Sequence, residues 1–365
     1  MLNKKLVFVG MSGGVDSSVS AALLKKQGYD VVGVFIKTWH PDFIKCNEEE
    51  ERRDAIRVAT VLNIPFLTFD FEDIYKKEVA DYMISEYKAG RTPNPDVMCN
   101  KEVKFGAFFK KAISMGADYI ATGHYAENKK NNLVKGKDPA KDQSYFLWTL
   151  KQKQLSKILF PVGNLNKTEV RELAKKFKLP VAEKKDSQGI CFLGAVDLKD
   201  FLRHYIKEKK GKVLNEKGEE IGFHSGAVFH TLGERHGFTI TKKSHEDGAY
   251  YVVGKNIKKN ILIVSNSPES CFFSGLRAKT PDHSKKQLSG SQIIIKETNW
   301  INKIPKENKT YTAQIRYHGQ FLNCKIKISG KTKAKISFQK PILVASGQSC
   351  VIYDKDICLG GGVIV

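Results

Sequence analysis

The run Leu6-Val7-Phe8-Val9-Gly10 is apolar without alternation, and that limits the fold more than any other feature of the chain. A strand with one face in water alternates polar and apolar residues. A strand with no polar position must be covered on both faces, as in parallel sheets. The segments after it keep the same rhythm. SSVSAALLKKQG (17–28) has helical spacing and stops at a glycine, and VVGVFIK (31–37) reads as a strand. EEEERRDAIRVATVLN (48–63) puts Ile56, Ala59 and Leu62 on one side of a helix. PFLTFDF, a helix from about Ile74 to Tyr87, and GADYIATGH (116–124) continue the series. Such alternation predicts an α/β fold, a doubly wound parallel sheet with right-handed crossovers and a ligand site beyond the carboxyl ends of the strands.

Near residue 205 the texture changes to charged, glycine-punctuated sequence with short strand signals, AVFHTL, GAYYVVG and NILIVS. After about Pro268 a series of short strand signals from QIIIKE to ICLGGGVIV, separated by turn residues, predicts a small closed β-barrel. A chain of 365 residues exceeds one ordinary core. The expected division is 1–205 for the α/β domain, 206–267 for a small central domain and 268–365 for the barrel. The formal net charge is +22, and the last stretch carries about 16 Lys/Arg against about 6 Asp/Glu. A polyanion, nucleic acid first, is the expected partner; a solvated lysine-rich surface is the plainer alternative. No apolar run approaches membrane-spanning length, and a Gly/Ser loop follows the first strand where a signal peptide would be cleaved. The cytoplasm is therefore the expected location, with no membrane partner. Seven cysteines without a C-x-x-C pair argue against a disulfide framework or a paired-cysteine metal site; most should be plain thiols.

Three stretches carry chemistry. MSGGVDSS lies between the first strand and a helix, where loop N–H groups and the helix N-terminus make an anion site. It is not G-x-x-x-x-G-K-[ST], and it lacks the lysine that reaches the outer phosphates there. The alternative is a tight turn whose glycines only permit packing. In TPNPDVMCNKEVKF (92–105), Pro93 and Pro95 push Thr92 and Asn94 away from helical angles, so Asp96 and Cys99 follow an extended loop. In DSQGICFLG (186–194), Cys191 follows a turn-forming run with Lys184 and Lys185 upstream, which favours a thiolate. Its apolar neighbours Ile190, Phe192 and Leu193 favour a core cysteine instead.

S-G-G-x-D-S-S directly after a strand resembles the PP-loop of ATP pyrophosphatases. Together with NPDVMCNKE, DSQGICF, GHYA (123–126), KDQSYFLW (141–148), FPVG (160–163), HTLGERHG (230–237), YVVGK (251–255), QIRY (314–317), ASGQ and CLGGG, it resembles the tRNA-specific 2-thiouridylases. The likeness runs over nearly the whole chain. It implies a PP-loop domain, a small central domain and a C-terminal β-barrel. It implies ATP as cofactor with Mg2+, the phosphates lying against Gly10, Met11, Ser12, Gly13, Gly14, Val15, Asp16 and Ser17, and the adenosine against Ile36 and Gly123. Asp16 is the residue expected to help place the metal; no protein metal site is otherwise expected.

The implied reaction is ATP-dependent thiolation of the wobble uridine of tRNA at C2. AMP is placed on the C2 oxygen, and sulfur comes from a Cys191 persulfide, itself charged by a cysteine desulfurase or a sulfur-relay protein. Cys99 then frees sulfide from the persulfide or forms a disulfide with Cys191, and either route brings the two thiols together. Asp96 is expected either to transfer a proton or to hold a turn or the uracil N3–H. By the same resemblance Asn94, Pro95 and Asp96 border the everted base, and His124, Lys141, Asp142, Gln143, Arg316, Tyr317 and Gln348 touch tRNA. Arg316 and Tyr317 suit phosphate and stacking contacts but equally an ordinary strand; His124 equally suits a structural role. Two alternatives stand beside this. One is another PP-loop ATPase, although the paired C-x-x-C of the cytidine 2-thiolases is absent. The other is an RNA-binding protein with a relic nucleotide fold, against which stand the intact loop and both cysteines. HPDFIKCNEEEE, with Cys46, has no assigned role, and 128–137 reads as a short basic hairpin whose tip is expected to vary freely in sequence; neither touches the motifs.

Overall fold

The computed structural model describes residues 4–44, 47–186, 197–242, 248–266 and 289–365. Strands β1 (Leu6–Gly10), β2 (Asp30–Lys37), β3 (Phe66–Asp70) and β4 (Tyr119–Ala121) are followed by a hairpin, β5 (Ala126–Lys129) and β6 (Asn132–Lys135), and by β7 (Ile158–Leu159). Outside the hairpin these strands form one parallel sheet in the order β3-β2-β1-β4-β7. Its two faces explain the unbroken apolar run. Val7 and Val9 enter one core with Val19 of helix α1 (Val15–Lys26) and Val58 of helix α2 (Glu48–Leu62). Phe8 enters the other with Tyr75, Met83, Val103 and Phe108, from the helical stretches 72–88 and 95–114. The chain winds one way from β1 to β2 and β3 and the other way to β4, so the switch point lies at the β1–β4 junction.

The helical stretch 95–114 begins where the two prolines leave the chain extended. The Asn94 side chain accepts the Val97 N–H at 3.1 Å, and Pro95 occupies the first helical position, where its missing N–H costs nothing. From Cys99 to Phe108 the helix is wound as a π-helix, a form concentrated at functional sites.

Strands β8 (Gly211–Leu214), β9 (Glu220–His224), β10 (Phe238–Ile240), β11 (Tyr251–Asn256) and β12 (Ile261–Ser265) form a second sheet, ordered β10-β9-β8-β12-β11, over a small core that includes Val213, Val252 and Leu262. The last strands are β13 (Ser289–Trp300), β14 (Tyr311–Gln314), β15 (Leu322–Ile328), β16 (Lys333–Leu343), β17 (Ser349–Asp354) and β18 (Ile357–Ile364). They run in the order β13-β16-β15-β14-β17-β18, and a β13–β18 pairing closes them into the expected barrel. The expected hairpin is present, and it is docked: Leu133 and Val134 pair with Cys358 and Ile357 of β18, and Asn302 donates to the Asn131 carbonyl at 3.0 Å. Leu133 is fully buried, so two apolar residues inside a lysine-rich stretch dock the α/β domain onto the barrel.

Candidate functional site

The phosphate loop occupies the switch point. β1 ends at Gly10, α1 begins at Val15, and Asp16 stands in its first turn. The loop is tied to its own helix: Ser17 Oγ accepts the Ser12 N–H at 3.2 Å, and the Ser18 hydroxyl donates to the Gly14 carbonyl at 2.7 Å. Met11 and Val15 are buried beneath it, and Ile36 lies half-buried near the end of β2. Gly123, just past β4, lies so close that a Cβ there would fall 2.6 Å from the Ser17 nitrogen. Gly123 and the loop thus meet from two separate parts of the sheet.

Asp16 is the centre of an ion network that the sequence did not announce. Tyr125 donates its hydroxyl to Asp16 at 2.8 Å, and the Lys167 ammonium lies 2.7 and 2.9 Å from its two oxygens. Lys167 also bridges to Asp186 at 2.9 Å, and Asp186 holds Lys141 at 2.7 Å and Arg171 at 2.6 Å. Burial alone would raise the Asp186 carboxyl, but hydrogen bonds from Lys141 and Lys167 outweigh it and hold the group at about 2. Burial and the Asp16 charge push the Tyr125 phenol far up, so it remains a donor.

A second feature is a cleft of about 280 Å³ lined by Tyr87, Pro93, Asn94, Pro95, Asp96, Tyr145, Phe146, Leu198, Arg316, Tyr317 and Gln348. Residues more than two hundred positions apart in sequence meet there. Arg316 is exposed at its edge, and the Tyr317 ring packs on Phe146 with centroids 4.4 Å apart. Tyr145 is fixed by donating to the Ser349 carbonyl at 2.9 Å. A neighbouring cleft of about 140 Å³ shares Asn94. Cys99 lines neither; it sits one turn beyond Asp96, 2% exposed, within the core that holds Val97 and Val103.

Three family models cover most of the chain: the tRNA methyl transferase HUP domain at residues 5–195, the tRNA methyl transferase PRC-barrel domain at 199–266 and the aminomethyltransferase beta-barrel domain at 290–364. A tRNA-specific 2-thiouridylase MnmA of Streptococcus mutans is 43% identical over 371 residues, covering 99% of this chain and 95% of that protein. One of Listeria monocytogenes is 44% identical over 365 residues, covering 98% and 94%. The chain belongs to the tRNA-specific 2-thiouridylase family. Among solved structures, a 4-thiouridine synthetase–RNA complex with bound ATP has a TM-score of 0.34 at 20% identity, covering 55% of this chain and 50% of that one, and carries no argument.

Within this 2-thiouridylase-family chain the expected site residues fall into two groups. Asn94, Pro95, Asp96, Arg316, Tyr317 and Gln348 share the cleft. His124, Lys141, Asp142 and Gln143 do not line it. His124 is buried with Nδ1 2.8 Å from the Thr122 hydroxyl, and burial pushes its imidazole well below the ordinary value. Asp142 accepts the Gly136 and Ser144 N–H groups at 3.0 Å each, and Gln143 accepts that of Tyr125 at 3.0 Å. Their bonds are to the protein's own backbone and side chains, with Lys141 joined to Asp186. Cys191 lies outside the described residues, which end at Asp186 on that side. Sequence reasoning missed Tyr87, Leu198 and Lys167, and quoted Tyr125 in GHYA and Asp186 in DSQGICFLG without giving either a role. Tyr145 and Phe146 stood inside the quoted KDQSYFLW, where an adjacent aromatic pair was the available signal. Among the described residues no group of three or more His, Cys, Asp or Glu is placed to hold a metal, and no helix is long and apolar enough to cross a membrane.

Proposed function

We propose that this chain catalyses ATP-dependent 2-thiolation of the wobble uridine of tRNA in the cytoplasm. The full-length relationship, at 43% and 44% identity, to proteins named for that activity carries the reading. The cleft supports it: aromatic walls suit an everted base, and Arg316 at the edge suits the phosphate backbone. Asn94, Pro95 and Asp96 border the base. Arg316, Tyr317 and Gln348 hold the surrounding nucleotides, and the turn carrying His124, Lys141, Asp142 and Gln143 supports the RNA beside them.

Uracil C2 is a poor electrophile because its oxygen leaves poorly. That oxygen attacks the α-phosphorus of ATP, pyrophosphate departs, and the carbon now carries a phosphate ester. The terminal sulfur of a Cys191 persulfide attacks C2, and AMP leaves. The Cys99 thiolate then attacks the Cys191 sulfur and breaks the sulfur–sulfur bond. The base keeps the transferred sulfur, and a Cys99–Cys191 disulfide remains. In the alternative order Cys99 first frees sulfide from the persulfide, and sulfide attacks C2. A thiol reductant returns the disulfide to two thiols, and a persulfide carrier then recharges Cys191. Asp96 takes the proton released at the base or at the incoming sulfur.

Loop N–H groups from Ser12 to Ser17 bind the phosphates, with Ile36 and Gly123 against the adenosine. Asp16 and Asp186 are the carboxylates at the loop that would hold a magnesium ion together with the nucleotide, and the ion would there supply charge neutralisation of the phosphates. Incubation with ATP, magnesium, a sulfur source and unmodified tRNA, followed by nucleoside mass spectrometry, tests the proposal. 2-Thiouridine with one AMP released per sulfur is expected; ATP turnover without thiolation overturns it.

A further inference from the structure

The phosphate loop lacks the lysine with which G-x-x-x-x-G-K-[ST] loops reach the outer phosphates of a nucleotide. The fold returns one from 151 residues downstream. We propose that Lys167 is the cation that binds the β- and γ-phosphates of ATP at this loop, an inference that rests on the ATP-dependent reading above. Lys167 opens the helix Lys167–Lys176, and its ammonium lies 2.7 Å from Asp16, two residues beyond the last glycine of the loop. Its side chain is 13% exposed and its ammonium stands 5.8 Å from the Tyr125 ring centroid, so the charge is held at the loop rather than loose in water. The Lys167 main-chain N–H is fixed on Asp138 at 3.0 Å, which anchors the stem independently of the ammonium.

The surrounding ion pairs allow the transfer. Asp186 keeps Lys141 and Arg171 when Lys167 turns away, so one of three cations leaves and no buried carboxylate is orphaned. Asp16 keeps the Tyr125 hydroxyl. A polyphosphate arriving beside Asp16 brings like charge against a carboxylate, and a cation between them removes that repulsion. Lys167 already touches Asp16, so a small rotation of its terminal bonds reaches phosphate oxygens cradled by the loop N–H groups. The ribose and α-phosphate lie outside its role.

Calorimetric titration of the full-length protein with ATP, AMP and inorganic pyrophosphate, magnesium in excess and tRNA absent, tests this. Lys167→Met is expected to weaken ATP and pyrophosphate binding tenfold or more and to leave AMP within about twofold. Lys167→Arg should recover most of the loss. Arg171→Gln loosens Asp186 equally but spares the ammonium, and should bind ATP as the wild type does. If Lys167→Met does not fold, Lys167→Gln, which keeps a polar tip beside Asp16 and Asp186 without the charge, answers the same question. An unchanged ATP affinity, or equal losses for ATP and AMP, overturns the role of Lys167 while the proposed function stands. Failure of the wild type to bind ATP removes both.

Discussion

The Asn94 side chain accepts the Val97 N–H and also borders the cleft, so it caps a helix and faces the proposed base at once. The two contributions separate by substitution. Loss of an N-cap to alanine costs about 1 kcal/mol, whereas serine keeps a capping oxygen. Asn94→Ala is expected to lower the thermal midpoint by a few degrees and Asn94→Ser to leave it nearly unchanged. Both should cut tRNA-dependent AMP formation at least tenfold; full activity in the serine variant would leave Asn94 a cap alone. The cysteines divide by environment. Burial pushes Cys324 and Cys358 up to about 12 and Cys350 well above the ordinary thiol value, so these barrel thiols stay protonated and shielded. Iodoacetamide at pH 7.5 should leave all three unmodified until the protein is denatured, and labelling of any one in the native state contradicts the assignment. Cys99 was legible as an unusual thiol because two prolines and an acid precede it. Its burial was not, since the residues that cover it lie in other elements. Lys167 had no local signature at all: NKTE reads as a helix start, and only the fold reveals what its ammonium touches.

At the scale of elements, strands buried on both faces were the most legible, because every position of LVFVG has to be apolar. The hairpin β5–β6 was legible as a hairpin, but its docking on the barrel was not, since Leu133 and Val134 are too few to register against the surrounding lysines. The small central sheet makes a pH prediction. Its His224 is 2% exposed, and Nδ1 accepts the Gly226 N–H at 2.9 Å, a bond that protonation removes. Burial, aided by His230, holds this imidazole at about 4. A histidine depressed in the folded state is protonated first in the unfolded chain. Stability is therefore whole above about 6.5 and falls as pH drops toward 4. Glu234 acts with the same sign. Burial would raise it, but the adjoining His230 imidazole and the Lys199 ammonium outweigh that and keep it low, so its contribution also fades under acid. The thermal midpoint should drop by several degrees between pH 7.5 and 5, and His224→Gln should flatten part of that slope. A midpoint that holds steady or rises on acidification would show that neither group is linked to folding.

The cleft belongs to the whole molecule, because no single domain supplies its walls. Its geometry depends on how the barrel seats on the loop before Asn94, and Thr92 is the point of contact. Thr92 donates its N–H to the Ser346 carbonyl of the barrel at 2.8 Å, and its hydroxyl meets that of Thr231 in the central domain at 3.0 Å. Gly347, beside them, has φ +94°, and a Cβ there would lie 2.9 Å from the Thr92 carbonyl oxygen. Sequence reasoning found the motifs on either side, TPNPD and ASGQ, but could not see that they press together, because a contact between domains leaves no periodicity in either. Gly347→Ala adds both backbone strain and a clash, about 1–3 kcal/mol each, and the softest response is to shift the barrel rather than the sheet. Arg316, Tyr317 and Gln348 would then move away from Asn94 and Asp96 while the phosphate loop, tied to its own helix and through Asp16 to Lys167, keeps its geometry. The expected result is a tRNA KM raised tenfold or more with ATP affinity unchanged. Should ATP affinity fall in parallel, the nucleotide loop and the cleft are one mechanical unit, and the separation drawn here between them does not hold.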